Sequence, residues 1–174
     1  MEQQHLWLAD PKGGSARFSP DRRHRLTLQR SWGAGPAVLF VMLNPSLADE
    51  RRLDPTVRKC VGFAKRWGFD SLMVGNLFSV ISPYPEDVPK HPQPIHPDTD
   101  AALVEMARAA DCIIAAWGTQ PFLNTRAYNV TKLLAREREV QCLGFTKEGW
   151  PRHPLYRSYE AERELFQRRT DGPT

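Results

Sequence analysis

Apolar positions fall along this chain in two rhythms. Seven uninterrupted apolar residues, Ala37 to Leu43, run straight into Asn44-Pro45-Ser46. A short run this rich in Val, Leu and Phe predicts a strand buried on both faces, as inside a parallel sheet. Ser71 to Phe78, Cys112 to Gly118 and Val140 to Phe145 repeat the pattern. Between these runs the spacing turns helical. Asp54-Pro55 is an N-cap acceptor followed by Pro at the first helical position. Val57, Cys60, Val61 and Ala64 then share one face, with Trp67 at its edge and Gly68 as the stop. Leu103, Val104, Ala107 and Ala110 mark a second helix over 98–110, and Ala127, Val130, Leu133 and Leu134 a third over 124–137. His24 to Arg30 alternates about Leu26 and Leu28, which predicts a half-buried strand at an edge. A charged, half-exposed last helix is expected from about Tyr159 to Arg168.

Strands alternating with helices predict a three-layer α/β/α domain. Its central, mostly parallel sheet has four strands plus an N-terminal edge strand. The whole of 1–174 reads as one domain, with an irregular segment at 1–23 and a charged helix and tail at 158–174. Ile81 to Pro97 holds six prolines and predicts an ordered surface loop with one helical turn near Pro85-Glu86-Asp87. His91 and His96 are expected to be exposed there. The carboxyl ends of the strands bring Asn44, Asn76, Trp117-Gly118 and the 146–156 loop to one edge. In open α/β sheets, that edge is where ligands bind.

Composition narrows the partners. Apolar residues make up 41% and charged residues 25% of 174, an ordinary globular balance. No apolar run reaches the roughly 18 residues a membrane span needs. Met1 to His5 lacks the layout of a signal peptide, so a cytoplasmic location and no membrane partner are expected. Cys60, Cys112 and Cys142 are far apart in apolar segments, which predicts buried free thiols, no metal and no cofactor. A net charge of +4 leans toward an anionic partner. Five Trp, eight Phe and four Tyr beside many Arg supply stacking faces for bases. A nucleic acid or nucleotide-like ligand is therefore the expected partner.

Several chemistries are excluded. The His-x-Glu and Pro-Cys-x-x-Cys of a zinc deaminase are missing. So are a Walker loop, Gly-x-Gly-x-x-Gly and Gly-x-Ser-x-Gly. Ser46, with Asp49 and His153 elsewhere, leaves a Ser-His-Asp hydrolase as one alternative. The leading constellation is Asn44, Asn76 and His153. Asn carries both a donor and an acceptor, so it can read a base edge or hold a water. His153 can donate to a carbonyl that becomes negative as an N-glycosidic bond breaks. Trp117, Gly118, Lys147, Arg152 and Tyr156 are the neighbours expected to line the pocket. Phe63 falls off the apolar stripe of its helix, on the side of Lys59 and Arg66, either covering a neighbouring loop or lining that pocket. A non-catalytic binding module stands as the other alternative.

Motifs in combination carry a family resemblance. Met42-Leu43-Asn44-Pro45-Ser46-x-Ala48-Asp49, Asp54-Pro55-Thr56, Asn76-Leu77-Phe78, Ala116-Trp117-Gly118 and His153-Pro154-Leu155-Tyr156 resemble the domain-of-unknown-function family numbered 1643, over roughly 15–157. That family has no settled activity, so the resemblance implies a fold more than a function. A more distant resemblance is to the uracil-DNA glycosylase superfamily, whose motifs occur in the same order. It implies that Asn44 positions the attacking water, Asn76 reads the base and His153 donates to the base carbonyl. The Ser that follows His-Pro in that superfamily is Leu155 here. Its stacking aromatic falls where this chain has Thr56 and Val57, unless Phe63 replaces it. The four-cysteine iron–sulfur cluster of many members has no counterpart among three isolated cysteines.

Overall fold

The computed structural model describes residues 6–10 and 12–167. The chain runs β1 (Leu6–Asp10), β2 (Gly14–Phe18), β3 (Arg25–Ser31), β4 (Ala37–Met42), α1 (Pro55–Arg66), β5 (Ser71–Asn76), α2 (Thr99–Ala109), β6 (Cys112–Ala115), α3 (Asn124–Ala135), β7 (Val140–Cys142) and β8 (Glu164–Leu165). Short 3-10 turns cover Pro85–Lys90, where the Pro-rich loop was expected to coil, and Pro154–Tyr156.

The strands form one mixed sheet in the order β1-β2-β3-β5-β4-β6-β7-β8. β5, β4, β6 and β7 are parallel. β3, β2 and β1 continue antiparallel on one side, and β8 is antiparallel on the other. Val38 to Val41 have no exposed surface, as an apolar run between two parallel neighbours should. The face of the sheet with Phe40, Met42, Val74 and Ile114 receives Val57, Cys60, Phe63 and Ala64 of α1. The opposite face, with Leu39, Val41, Ile113 and Ala115, receives α2 and α3 through Leu103, Met106, Ala127, Val130 and Leu134.

The helix ends follow their sequence signals. Asp54 Oδ1 accepts from Val57 N at 2.8 Å to open α1. The helix closes when Phe69 N donates to Ala64 O and Gly68 N to Lys65 O, a Schellman pair. Cys60, Cys112 and Cys142 are buried free thiols, as expected. No helix among the described residues is long and apolar enough to cross a membrane.

Three expectations are corrected. The 1–23 segment is not irregular throughout: β1 and β2 form a hairpin, and Ala16 and Phe18 turn inward from it. β3 is therefore covered on both sides rather than an edge, and among the described residues the sheet has eight strands instead of four plus one. The helix expected from Tyr159 is absent over the described part of that span; residues 168–174 lie outside it. The chain there is extended, and Phe166 N donates to Val140 O at 2.8 Å. No helical stripe competes with this, because Phe166 buries itself against Trp117 and Phe145.

The same segment explains Phe63. Tyr159 returns across α1, its ring centroid 5.0 Å from that of Phe63, with Lys59 Nζ 4.1 Å and Arg66 Cζ 4.5 Å from the Tyr159 ring. A Cβ on Gly62 would collide with that ring. Phe63 is thus covered by a neighbouring loop and does not line the cavity described next.

Candidate functional site

The strand order turns about at β4. The chain crosses through α1 to β5 on one side of β4, then returns through α2 to β6 on the other. Helices consequently leave on opposite faces, and a crevice opens beyond the carboxyl ends of the central strands. A cavity of about 520 Å³ lies there. Its walls come from the segment after β4 (Leu43, Asn44, Ser46), the start of α1 (Asp54, Thr56, Val57) and the segment after β6 (Trp117, Gly118). Asn76 ends β5 in the same wall, and the loop after β7 contributes Arg152, His153, Tyr156 and Arg157.

Asn44, Asn76, Ser46, Trp117, Gly118, Arg152, His153 and Tyr156 are therefore brought together. Phe63, Asp49 and Lys147 are not among the lining residues. Asp49 instead folds its own loop: its Oδ1 accepts from the backbone N of Arg51 and Arg52, which holds its carboxyl below the ordinary value despite burial.

The two asparagines differ. Asn44 Nδ2 donates to Pro45 O at 3.0 Å, Ser82 O at 2.9 Å and, more weakly, Val80 O at 3.4 Å. All its bonds run from the amide nitrogen, so the side chain is fixed and Oδ1 is left as an acceptor. Asn76 is 4% exposed. Its Oδ1 accepts from Arg25 Nη2 at 3.4 Å, and its Nδ2 is buried without a partner. A guanidinium can only donate, so the atom facing Arg25 must be the oxygen. The orientation of Asn76 is thereby fixed, with Nδ2 as its unpartnered donor and Oδ1 turned to Arg25.

His153 opens the turn at Pro154–Tyr156, and its Nδ1 accepts from Leu155 N at 3.3 Å. The ring proton therefore sits on Nε2. Burial pushes its pKa below the ordinary value against the pull of Asp54, so the neutral imidazole donates through Nε2–H at neutral pH. Gly118, at φ 72°, lets the chain turn under this loop and donates its N–H to Pro151 O. A Cβ there would meet His153 Cβ at an ordinary 3.7 Å, so the backbone angle rather than crowding calls for glycine. Among the described residues, Ser46 makes no hydrogen bond to His153, and with Nδ1 taken by Leu155 no carboxylate orients the ring.

Arg25 is the residue that sequence reasoning missed. It is 3% exposed and lines the cavity. Burial lowers its pKa to about 10, so it remains charged at neutral pH. Among charged lining residues, Arg25, Arg152 and Arg157 stand against Asp54 alone. Buried donors without partners belong to four lining residues, at Arg25 Nε, Asn76 Nδ2, Trp117 Nε1 and Arg157 Nε. The Trp117 ring packs edge-on against Phe166, so it forms a wall rather than a stacking platform. Tyr156 is 84% exposed at the rim.

These features define a mixed α/β domain with a donor-rich, positively lined cavity at the carboxyl ends of its parallel strands. The chain belongs to the family described as protein of unknown function (DUF1643), whose model matches residues 25–155. The match starts at Arg25 and includes Asn44, Asn76 and His153. No curated protein and no solved structure matches the chain.

Proposed function

We propose that the cavity binds a nucleobase, carried by a nucleotide or a nucleic-acid strand, and that Asn44 and His153 act on its N-glycosidic bond. The observation that carries this reading is that Asn44, Asn76 and His153, 109 positions apart at the extremes, line one cavity. Its volume lies within the range of small-molecule sites. The packing of α1 on one sheet face and α2 and α3 on the other supports kinship with the glycosylase fold.

The chemistry follows from the fixed side chains. Asn44 Oδ1 accepts from a water and holds its oxygen toward the anomeric carbon. As the carbon–nitrogen bond breaks, its electron pair moves into the base. His153 Nε2–H donates to the base carbonyl that gains this charge. The water proton ends on the departing base, because an asparagine cannot take it. A neutral imidazole donor suits this role, and burial keeps His153 neutral. Asn76 brings its unpartnered Nδ2 donor to the same cavity.

The deciding experiment incubates the full chain with nucleotides and with single- and double-stranded oligonucleotides carrying normal, deaminated and alkylated bases. Released free base is the readout. Release that falls by about a hundredfold or more in His153→Ala, the scale of losing one transition-state donor, supports the reading. Binding with no release from any substrate favours a non-catalytic module. The three bonds that tie Asn44 to its loop are the observation that would then explain Asn44.

A further inference from the structure

Arg25 carries five N–H donors. Nη1 donates to Ala48 O at 2.8 Å and Nη2 to Asn76 Oδ1 at 3.4 Å. Nε is buried and unpaired. Among the described residues no carboxylate forms an ion pair with it. Asp54 and Asp49 are near enough to favour its charge. One oxygen of each, Oδ1, accepts from backbone N–H groups at the start of α1 and in the 49–52 loop. An unpaired guanidinium kept from water is costly, on the order of several kcal/mol. Beside it, Asn76 Nδ2 is a second buried donor without a partner. Both residues line the cavity. Native interiors seldom leave such groups open unless something else fills them.

What fills them must accept hydrogen bonds and carry negative charge. A base fits poorly, because even guanine, whose O6 and N7 are adjacent acceptors, carries no negative charge. A phosphate or carboxylate offers acceptors only. Arg25 lies inside the cavity rather than along a surface groove, so the group must enter as a chain end.

We propose that Arg25 and Asn76 form an oxyanion subsite that takes the terminal phosphate of a free mononucleotide. The subsite stands on these two side chains. That the rest of the ligand is a nucleotide rests on the nucleobase reading above. Phosphate then sits at Arg25, the sugar lies by Asn44 and the base meets His153. The start of α1 adds little, since Asp54 already caps it.

Calorimetric titration of the full chain tests this with inorganic phosphate, acetate, the four nucleoside 5′-monophosphates and their nucleosides. The informative variant is Asn76→Asp. It keeps the side-chain shape, gives Arg25 an ion pair and sets a negative charge where the phosphate would go. Arg25→Gln is a weaker choice, because it also leaves Ala48 O without its donor.

The expected result is that at least one monophosphate binds about tenfold or more tightly than its nucleoside, the scale of one charge-assisted hydrogen bond. Asn76→Asp removes that preference and does not lower the melting temperature. A nucleoside that binds as well as its monophosphate, unchanged in Asn76→Asp, overturns the subsite and leaves the nucleobase reading intact. Phosphate binding that a base does not improve, lost in Asn76→Asp, keeps the subsite and overturns the mononucleotide as its ligand. Acetate bound in place of phosphate overturns the phosphate assignment. No binding of any probe overturns the subsite and leaves the nucleobase reading to the base-release experiment on oligonucleotides.

Discussion

His24 and Arg25 are neighbours in sequence, yet they enter two polar regions of opposite character. His24 belongs to a closed one. Ser79 Oγ accepts from Thr99 Oγ1 at 2.8 Å and from His96 N at 2.8 Å. Its own hydrogen is then left for His24 Nδ1 at 2.9 Å. One hydroxyl thus spends its hydrogen and both lone pairs, and the network locks the Pro-rich loop to β3 and α2. His91 and His96, expected to be exposed, pack their rings 6.0 and 5.4 Å from that of His24. Each of the three rings accepts through Nδ1. The proton is therefore on Nε2, and each Nδ1 lone pair is already taken. Arg25 belongs to an open region, where donors face a cavity without partners. Burial alone does not separate architecture from function; completeness of pairing does.

The largest expected effect breaks the closed region. Ser79→Ala strands the Thr99 hydroxyl, the His96 N–H and His24 Nδ1 together. A loss of about 2–4 kcal/mol is expected in urea unfolding, two or more times the net value of one ordinary hydrogen bond. A loss under about 1 kcal/mol would show that water replaces Ser79 and that the network is not closed.

A smaller effect comes from pH. His24 lies below the ordinary value of 6.5, chiefly because burial disfavours its charged form, with His96 and His91 adding to this and Asp21 opposing. His153 is lowered by burial too. For a group whose pKa is lower when folded, the unfolded chain takes up protons first as pH falls. Stability should hold above pH 6.5 in this respect and decline through the window beneath it. Unfolding midpoints measured at successive pH values check this. His24→Gln should flatten part of the slope and His153→Gln another part. A slope of the opposite sign would mean that the folded state stabilises the charged rings.

The smallest effect on stability belongs to Tyr156 at the rim. Tyr156→Ala should change unfolding by less than about 0.5 kcal/mol, as exposed positions do. Because it lines the cavity mouth, the same change should weaken ligand binding measurably. Equal loss of stability and binding would recast Tyr156 as packing.

The parallel core was legible because its strands carry uninterrupted apolar runs ending in Asn-Pro-Ser, Gly-Asn and Trp-Gly. The β1–β2 hairpin was not. Its inward positions on β2 include Ala16, whose small side chain makes a faint alternation, and Gly13-Gly14 read only as a turn. Extended backbone near β8 was hidden because β8 itself is exposed and the partners that hold the segment, β7 and Trp117, lie elsewhere in the chain. Tyr159 could have been suspected from Gly62, a small residue beside a large ring off the stripe. Arg25 had no signal, since a buried arginine in an alternating strand looks like a surface one.

The spread of the site along the chain bears on how fast it can form. Arg25 meets Asn76 across 51 residues, and His153 feels Asp54 across about twice that separation. Each pairing needs a long loop to close before any contact rewards it. Local helices can appear early, but the cavity cannot exist until the last loop docks. Ligand binding in a refolding experiment would therefore act as a clock for the final event of folding, lagging the recovery of helical signal.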